Sequence, residues 1–402
     1  MKDRFNNQVS EYMEYISDCE VSSDLTYFID CAQNYLSNVC ETTFKMIGIT
    51  SVNFPELFVR TCDIMPVYIL GGCEGVNNEV DEIFPQISDS VTKSAMSLLF
   101  DESMPFLDKL EGLVVCITND SSRKMSYYLE KKGYKVIRNE SIPFLCDITK
   151  KTFKRNENEF IINLMKLSHK VITKKKLIKC ARMITRSHNL FKQIDESALD
   201  TKIKIFLKES YYLTMDVKKW QGEVKILLNK IKHNKALFRH NSDDEQNLTV
   251  VGCDIQFPNF KIGSILEESG IKNYRSRCCV PYPCDYSELD ERRSIIGILN
   301  QIHEIHYSNL HEMNILSADK VDFDDETDAV LFHLLKGQLP AAYYANKVEK
   351  SCIDEDIPFI CVETDYTKAD KEQVKIRIEA FTELLKVKNK SDKRRKINEK
   401  LA

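Results

Sequence analysis

Short apolar runs alternate with amphipathic segments in the first part of the chain. Runs of about four to eight apolar residues between helical patterns are typical of buried strands in a parallel sheet. The pattern therefore predicts amphipathic helices over residues 1–45 and a first α/β domain over residues 46–156. The predicted strands of this domain are Met46–Val52, Val67–Leu70, Leu113–Ile117 and Tyr134–Ile137.

The middle of the chain has a helical period, and the strand pattern returns after it. Residues 157–240 contain no run typical of a strand, and Thr173 is a predicted helix N-cap. The polar stretch Arg239–Asp244 is a candidate linker to a second α/β domain over residues 245–386, with a charged tail over residues 387–402. The predicted elements of the second domain are strands Leu248–Cys253, Ala329–His333 and Phe359–Thr364, and helices Ile262–Glu268, Ser287–Ile305, Ala341–Ile353 and Lys371–Leu385.

Two such halves around a helical segment predict an α/β fold with two doubly wound parallel sheets of the Rossmann or flavodoxin type. In sheets of this kind, ligands bind beyond the carboxyl ends of the strands. We therefore expect the functional site in the cleft between the two domains. Cys73 and Cys116 lie at the ends of predicted strands and are expected to face this cleft.

Composition limits the classes of partner. The chain has 402 residues, of which 43% are apolar, and this is enough for two or three domains with sizeable cores. The net charge is −4 and no run approaches about 18 uninterrupted apolar residues, so neither nucleic acid nor a membrane is an expected partner. The chain starts without an apolar signal region, and we predict a cytoplasmic protein.

Fourteen cysteines are the next feature. In a long chain predicted to be cytoplasmic, cysteines are expected to be free thiols rather than disulfides. Most of them, including Cys253 and Cys361, lie in apolar runs, where cysteine usually acts as a small buried hydrophobic residue.

Two other patterns favour structural over chemical roles. Gly71–Gly75 follows a predicted strand but lacks the Gly-x-Gly-x-x-Gly spacing, and the chain has no Walker A sequence, so a tight turn is favoured over nucleotide binding. His303, His306 and His311 lack the His-x-x-x-His spacing of a zinc helix, so packed or solvated histidines are favoured over a metal site.

Four stretches resemble the 2-hydroxyacyl-CoA dehydratase and benzoyl-CoA reductase family, which includes the D component of 2-hydroxyglutaryl-CoA dehydratase. In order along the chain, they are Gly48–Gly72, Glu111–Lys124, Asp328–Phe332 and Ile357–Leu385. The last stretch is the most specific, since it keeps Glu363, Asp365, Gln373, Arg377, Glu379, Ala380 and Phe381 at the family's spacing. The resemblance extends over most of the chain, from about Met46 to Leu385.

The resemblance implies a redox chemistry. In the family, three cysteine thiolates hold a [4Fe-4S] cluster with one iron open to an acyl-CoA substrate, and a separate ATP-dependent activator supplies one electron. The corresponding positions here are Asp89, Asn119 and the turn Gly337–Gln338, and none of them is cysteine. An amide is a poor iron ligand compared with a thiolate. We therefore predict no cluster of the family's type on this chain.

Glu56 is the candidate catalytic residue. It lies at a Pro-Glu helix start, where the family has an acidic residue near the substrate, although a carboxylate is also electrostatically favourable at a helix N-terminus. Asp120 and Arg123 flank Asn119, and they either pair with each other or hold the turn.

Three functions remain open. The chain is either a cluster-less subunit of a heterodimer, a non-catalytic binding or regulatory protein on the same scaffold, or an iron–sulfur enzyme with relocated thiols. In the first case a cysteine-bearing paralogue completes an acyl-CoA cleft, and the complex acts as a lyase on (R)-2-hydroxyacyl-CoA or reduces aryl-CoA in anaerobic metabolism. In the third case the candidate ligands are Cys73, Cys116 and Cys284, the last in Cys278-Cys279-x-x-x-x-Cys284.

Overall fold

Two parallel four-stranded sheets organise the described part of the protein in this computed structural model. The structure describes residues 1–401 apart from 20, 53, 85–87, 102–103, 105, 141–146, 234–246, 278–279, 314–322 and 324–326, and apart from the side chains of 147, 310–313 and 389–401. Among the helices it describes, none is long and apolar enough to cross a membrane.

Three helices precede the first sheet, namely α1 (Lys2–Ser17), α2 (Thr26–Gln33) and α3 (Tyr35–Glu41). The face that α1 buries consists of Phe5, Gln8, Val9, Tyr12, Met13 and Ile16. The Gln8 amide lies within hydrogen-bond distance of both Gly72 O (3.3 Å) and Pro258 O (3.4 Å). Tyr12 stacks on Phe260, with the ring centroids 5.3 Å apart. Helix α1 therefore contacts both halves of the chain.

The first α/β unit forms from the apolar runs of residues 46–140. Its strands are β1 (Met46–Ile49), β2 (Met65–Tyr68), β3 (Leu110–Ile117) and β4 (Val136–Glu140), and its helices are α4 (Leu57–Thr61), α5 (Asn78–Ile83), α6 (Ser90–Leu99) and α7 (Asp120–Lys131). The strand order is β2-β1-β3-β4, and all pairs are parallel. The buried sides of the strands form one core with the helices before and after them.

Four helices connect this unit to the second one. They are α8 (Asp147–Ser168), α9 (Lys174–Asp195), α10 (Thr201–Leu213) and α11 (Val217–His233). Thr173 is the N-cap of α9, as predicted, since its hydroxyl accepts from Lys176 N at 3.4 Å. The predicted linker Arg239–Asp244 lies outside the described residues.

The second α/β unit repeats the plan of the first. Its strands are β5 (Leu248–Gly252), β6 (Tyr274–Ser276), β7 (Ala329–Leu335) and β8 (Phe359–Thr364), and its helices are α12 (Lys261–Glu268), α13 (Ile295–Met313), α14 (Leu339–Asp354) and α15 (Lys371–Leu401). The strand order is β6-β5-β7-β8, again all parallel. The expectation of two doubly wound parallel sheets is confirmed.

One predicted helix starts at the wrong residue. It was expected from Ser287, but α13 begins only at Ile295. The carboxylate of Asp290 accepts from Arg292 N at 3.1 Å and so holds the polar stretch in a turn. Ser294 then caps the helix by accepting from Gly297 N at 3.2 Å.

The two units touch along the carboxyl ends of their strands. Gly71 N, in the loop after β2, donates to Gln256 Oε1 at 3.0 Å. A Cβ on Gly72 would lie 1.9 Å from Gln256 O, so only glycine allows the two backbones to come this close. The loops after β3 and β7 begin helices α7 and α14 at this same contact, beside the points where the strand order reverses.

Candidate functional site

Three helix N-caps meet between the two units. Asp89 precedes α6, Asn119 follows β3 and precedes α7, and Gln338 follows β7 and precedes α14. Gln338 Nε2 donates to Asp89 Oδ1 at 2.6 Å, and Asn119 Nδ2 donates to Asp89 Oδ2 at 3.4 Å. The structure thus brings together the three positions that the family resemblance assigned to the cluster cysteines.

The carboxylate of Asp89 is buried and saturated with hydrogen bonds. The residue is 3% exposed, and besides the two amides it accepts from Val91 N at 3.1 Å, from Thr92 N at 3.2 Å and from Thr92 Oγ1 at 2.5 Å. Because a carboxylate offers about four lone-pair sites, these donors leave no acceptor free for another ligand.

Asp89 acts on the pKa values of two neighbouring groups. Burial, and after it a set of charges that includes Asp89, raises the pKa of Tyr366 well above its usual range. Burial likewise raises the pKa of Cys253 to about 12, with Asp89 contributing.

Asn119 does two things that a thiol at this position could not do. Its Oδ1 accepts from Ser122 N at 2.9 Å, and Ser122 Oγ accepts from Asn119 N at 3.1 Å, which together form a capping box. Its Nδ2 remains available for Asp89. Of the flanking residues, Asp120 is exposed, and Arg123 pairs with Glu140 at 3.0 Å rather than with Asp120.

The residues at this site do not fit the cluster that the resemblance implies. The family's [4Fe-4S] cluster requires three converging thiolates, whereas these positions supply one carboxylate and two amides that both donate to that carboxylate. In the part of the chain that the structure describes, no three His, Cys, Asp or Glu side chains could hold a metal ion together.

The candidate relocated thiols form no metal site among the described residues, and Cys73 and Cys116 are buried while Cys284 is partly exposed. Cys73 follows β2, Cys116 is within β3, and Cys284 precedes α13. Burial raises the pKa of these thiols to about 11, 12 and 11 respectively, so each is protonated at neutral pH and disfavoured as a ligand. Cys278 and Cys279 lie outside the described residues.

Glu56 lies in a buried polar network at the start of α4. It is 5% exposed and accepts from Arg60 Nε at 2.5 Å, from Tyr68 Oη at 3.3 Å and from Tyr211 Oη. Burial and the Glu56 charge raise the pKa values of both tyrosines well above their usual range. Burial disfavours the charged form of Arg60, but the Glu56 carboxylate outweighs this and raises the pKa of Arg60.

Sequence reasoning identified Glu56 but missed its partners. The sequence could have predicted Arg60, since it follows Glu56 by four residues and residues at this spacing are neighbours on a helix. Tyr211 follows Glu56 by 155 residues and carries no local signal. The catalytic role of Glu56 stays a prediction.

A second buried polar cluster joins α8 to α13. His303 Nδ1 and His306 Nδ1 each pair with one oxygen of Glu157, and all three side chains are buried. His306 Nε2 also bonds Tyr286 Oη at 2.6 Å. The two histidines are packed rather than solvated, and His311 has no described side chain. Glu157 was not identified from the sequence.

A family model described as "2-hydroxyglutaryl-CoA dehydratase, D-component" matches residues 51–385. A search of curated proteins found no match to the chain. The matched range includes strands β2 to β8, all three N-caps around Asp89, and Glu56, whereas helices α1, α2 and α3 and strand β1 precede it.

Proposed function

Because this chain belongs to the 2-hydroxyglutaryl-CoA dehydratase D-component family, we propose that it is a cluster-less subunit of a heterodimer that acts on acyl-CoA thioesters. In this proposal a cysteine-bearing paralogue holds the iron–sulfur cluster, and the present chain supplies one wall of the acyl-CoA cleft. The observation that carries the proposal is the set of contacts at Asp89, which occupy the three converging positions with hydrogen bonds.

The reaction we assign to the complex is dehydration of an (R)-2-hydroxyacyl-CoA, and the alternative reaction is reduction of an aryl-CoA. The iron-dependent step, with its electron from an ATP-dependent activator, belongs to the partner subunit. The contribution of this chain is structural and electrostatic, through a rigid wall and the buried Glu56 network. We place the complex in the cytoplasm of cells that carry out anaerobic metabolism.

Anaerobic co-expression with a cysteine-bearing paralogue tests this proposal. We expect the two chains to co-purify with about four iron atoms per heterodimer and to dehydrate a 2-hydroxyacyl-CoA once an activator and ATP are added. The paralogue purified alone is the positive control for iron and sulfide analysis. Stoichiometric iron and sulfide on the present chain purified alone would contradict the proposal.

A non-catalytic binding or regulatory role is the second candidate. The saturated carboxylate of Asp89 favours it, because this chain has no free ligand at the family's reactive position. Isolation of a monomer that fails to pair with the paralogue and that shows no acyl-CoA binding by calorimetry would select this candidate over the heterodimer.

A further inference from the structure

We propose that Asp89 is the centre of a latch that holds the two α/β units together and closes this chain's own cleft. The latch consists of Asp89 and Asn119 from the first unit and Gln338 from the second. It lies where the carboxyl ends of the two sheets face each other, which is the place where doubly wound proteins bind their ligands.

The bond between Asp89 and Gln338 crosses from one unit to the other. The two residues are 249 positions apart in the sequence, and the contact of 2.6 Å is short for a bond from an amide to a carboxylate. Gln338 is at the N-cap position of α14, but its side chain makes no capping bond to that helix. Its amide is therefore committed to the other unit rather than to its own helix.

Further contacts extend the closure on both sides of Asp89. Ser90 Oγ donates to Lys336 O at 3.3 Å, next to the bond between Asp89 and Gln338. In the loop after β2, Gly72 lies directly against Gln256 O. The carboxyl-end edges of the two sheets are thus joined by two hydrogen bonds and one close backbone contact, where related folds bind a ligand.

One consequence concerns where an acyl-CoA binds. If the proposed heterodimer exists, which is the one point where this inference rests on the proposed function, the acyl group lies in the cleft that the partner completes and of which this chain supplies one wall. It does not lie between this chain's own two units. The latch proposal itself depends only on the contacts between the two units. It can therefore be tested separately from the heterodimer proposal.

Hydrogen exchange of the isolated full chain tests the latch. The amides of Val91 and Thr92 report on Asp89, because both donate to its carboxylate from the first unit. We expect Gln338→Ala, a change in the second unit, to speed exchange at these two amides by about tenfold or more while the strand cores keep their protection. We also expect the double variant Asp89→Asn/Gln338→Ala to exchange no faster than Asp89→Asn alone, since both changes break the same contact.

Arg123→Ala is the matched control, because it removes an exposed ion pair on α7 within the first unit and should leave the two reporter amides unchanged. An effect of Gln338→Ala confined to α14 would overturn the latch, since it would mean that Gln338 supports only its own helix. Failure of the chain to pair with the paralogue would overturn the proposed function and leave these exchange results as they are.

Discussion

At the scale of single residues, the three positions that the resemblance assigned to the cluster carry side chains that are joined by hydrogen bonds at Asp89. A thiolate is the usual ligand of an iron–sulfur cluster, whereas an amide is a poor iron ligand and a good hydrogen-bond donor and acceptor. Asp89, Asn119 and Gln338 therefore form a self-contained polar contact. Replacing any one of them with cysteine would remove at least one of these two bonds.

Asn119→Asp tests this residue-level picture. Aspartate caps a helix as well as asparagine does, so the change in the cap alone would leave the free energy of unfolding almost unchanged. The new carboxylate would, however, face Asp89 across the present 3.4 Å contact, and we expect a loss of about 1–4 kcal/mol in the free energy of unfolding at pH 7. Urea titration measures the loss, which should shrink in acid as one carboxyl group binds a proton.

Asn119→Ser is the control for that experiment. It keeps a capping oxygen and adds no charge, so we expect a cost of only about 1 kcal/mol for the lost bond to Asp89. Equal effects of the two substitutions, independent of pH, would show that the Asp89 contact is unimportant and that only the cap matters.

The sequence alone did not reveal the bonds at Asp89. The family resemblance assigned Asp89, Asn119 and the turn Gly337–Gln338 to the cluster positions, and this assignment stays a prediction. The bonds between them join residues 30 and 249 positions apart, and a one-dimensional pattern does not encode such pairings. Glu157 was missed for a related reason, since it lies in a polar stretch where nothing local marks it as buried.

At the scale of elements, Glu157 is the clearest link between helices. It joins α8 to α13, which belong to different parts of the chain, by accepting from His303 and His306 at once. Burial works against its charge, but the two histidines outweigh burial and hold the pKa of Glu157 below its usual value. Breaking a buried pair by removing one partner typically costs about 3–5 kcal/mol.

We expect Glu157→Gln to lower the free energy of unfolding by about 3 kcal/mol at neutral pH. The pH dependence has a defined sign. The folded pKa is lowered, so the contribution of Glu157 is present above the unfolded pKa of about 4.3 and is lost as pH falls through the lower folded value. The variant should lack this acid-dependent component when urea unfolding is measured across that range.

The conservative change Glu304→Gln serves as the control, since Glu304 lies on α13 in an exposed ion pair with Lys150. Exposed pairs contribute about 0–1 kcal/mol, so we expect little change. A Glu157 variant as stable as this control would mean that the buried cluster does not fasten α13 to α8.

Strands with longer apolar runs were predicted more accurately than shorter ones. Strands β5, β7 and β8 were predicted to within two residues, because each contains a run rich in β-branched and other apolar residues. Strand β6 was not predicted, as it has three residues and only Tyr274 is buried. Helix α13 was predicted too early because the charged stretch before it has helical spacing, whereas its own side chains hold it in a turn.

At the scale of the whole molecule, the close packing of the two units depends on the absence of a side chain at Gly72. We expect Gly72→Ala to destabilise the protein by about 1–3 kcal/mol, because its Cβ would meet Gln256 O at 1.9 Å and force the units apart. Gly222→Ala is the matched control, since Gly222 is an exposed residue of α11 with nothing within 4 Å of an added Cβ.

For the control we expect a gain of about 0.5–1 kcal/mol, because alanine is the better helix former. Thermal unfolding of both variants, followed by circular dichroism, measures the difference. If Gly72→Ala were as stable as the wild-type chain, the close approach of the two backbones would be adjustable, and the units would not be held in one fixed arrangement.

Helix α1 links the fold to slow steps of folding. Gln8 contacts Pro258 and Glu11 pairs with Lys368, at sequence separations of 250 and 357. Contacts between residues this far apart form slowly, because the chain between them must first close into a loop. Since apolar surface that is uncovered in folding intermediates tends to aggregate, the apolar face of α1 depends on protection until the second unit has folded.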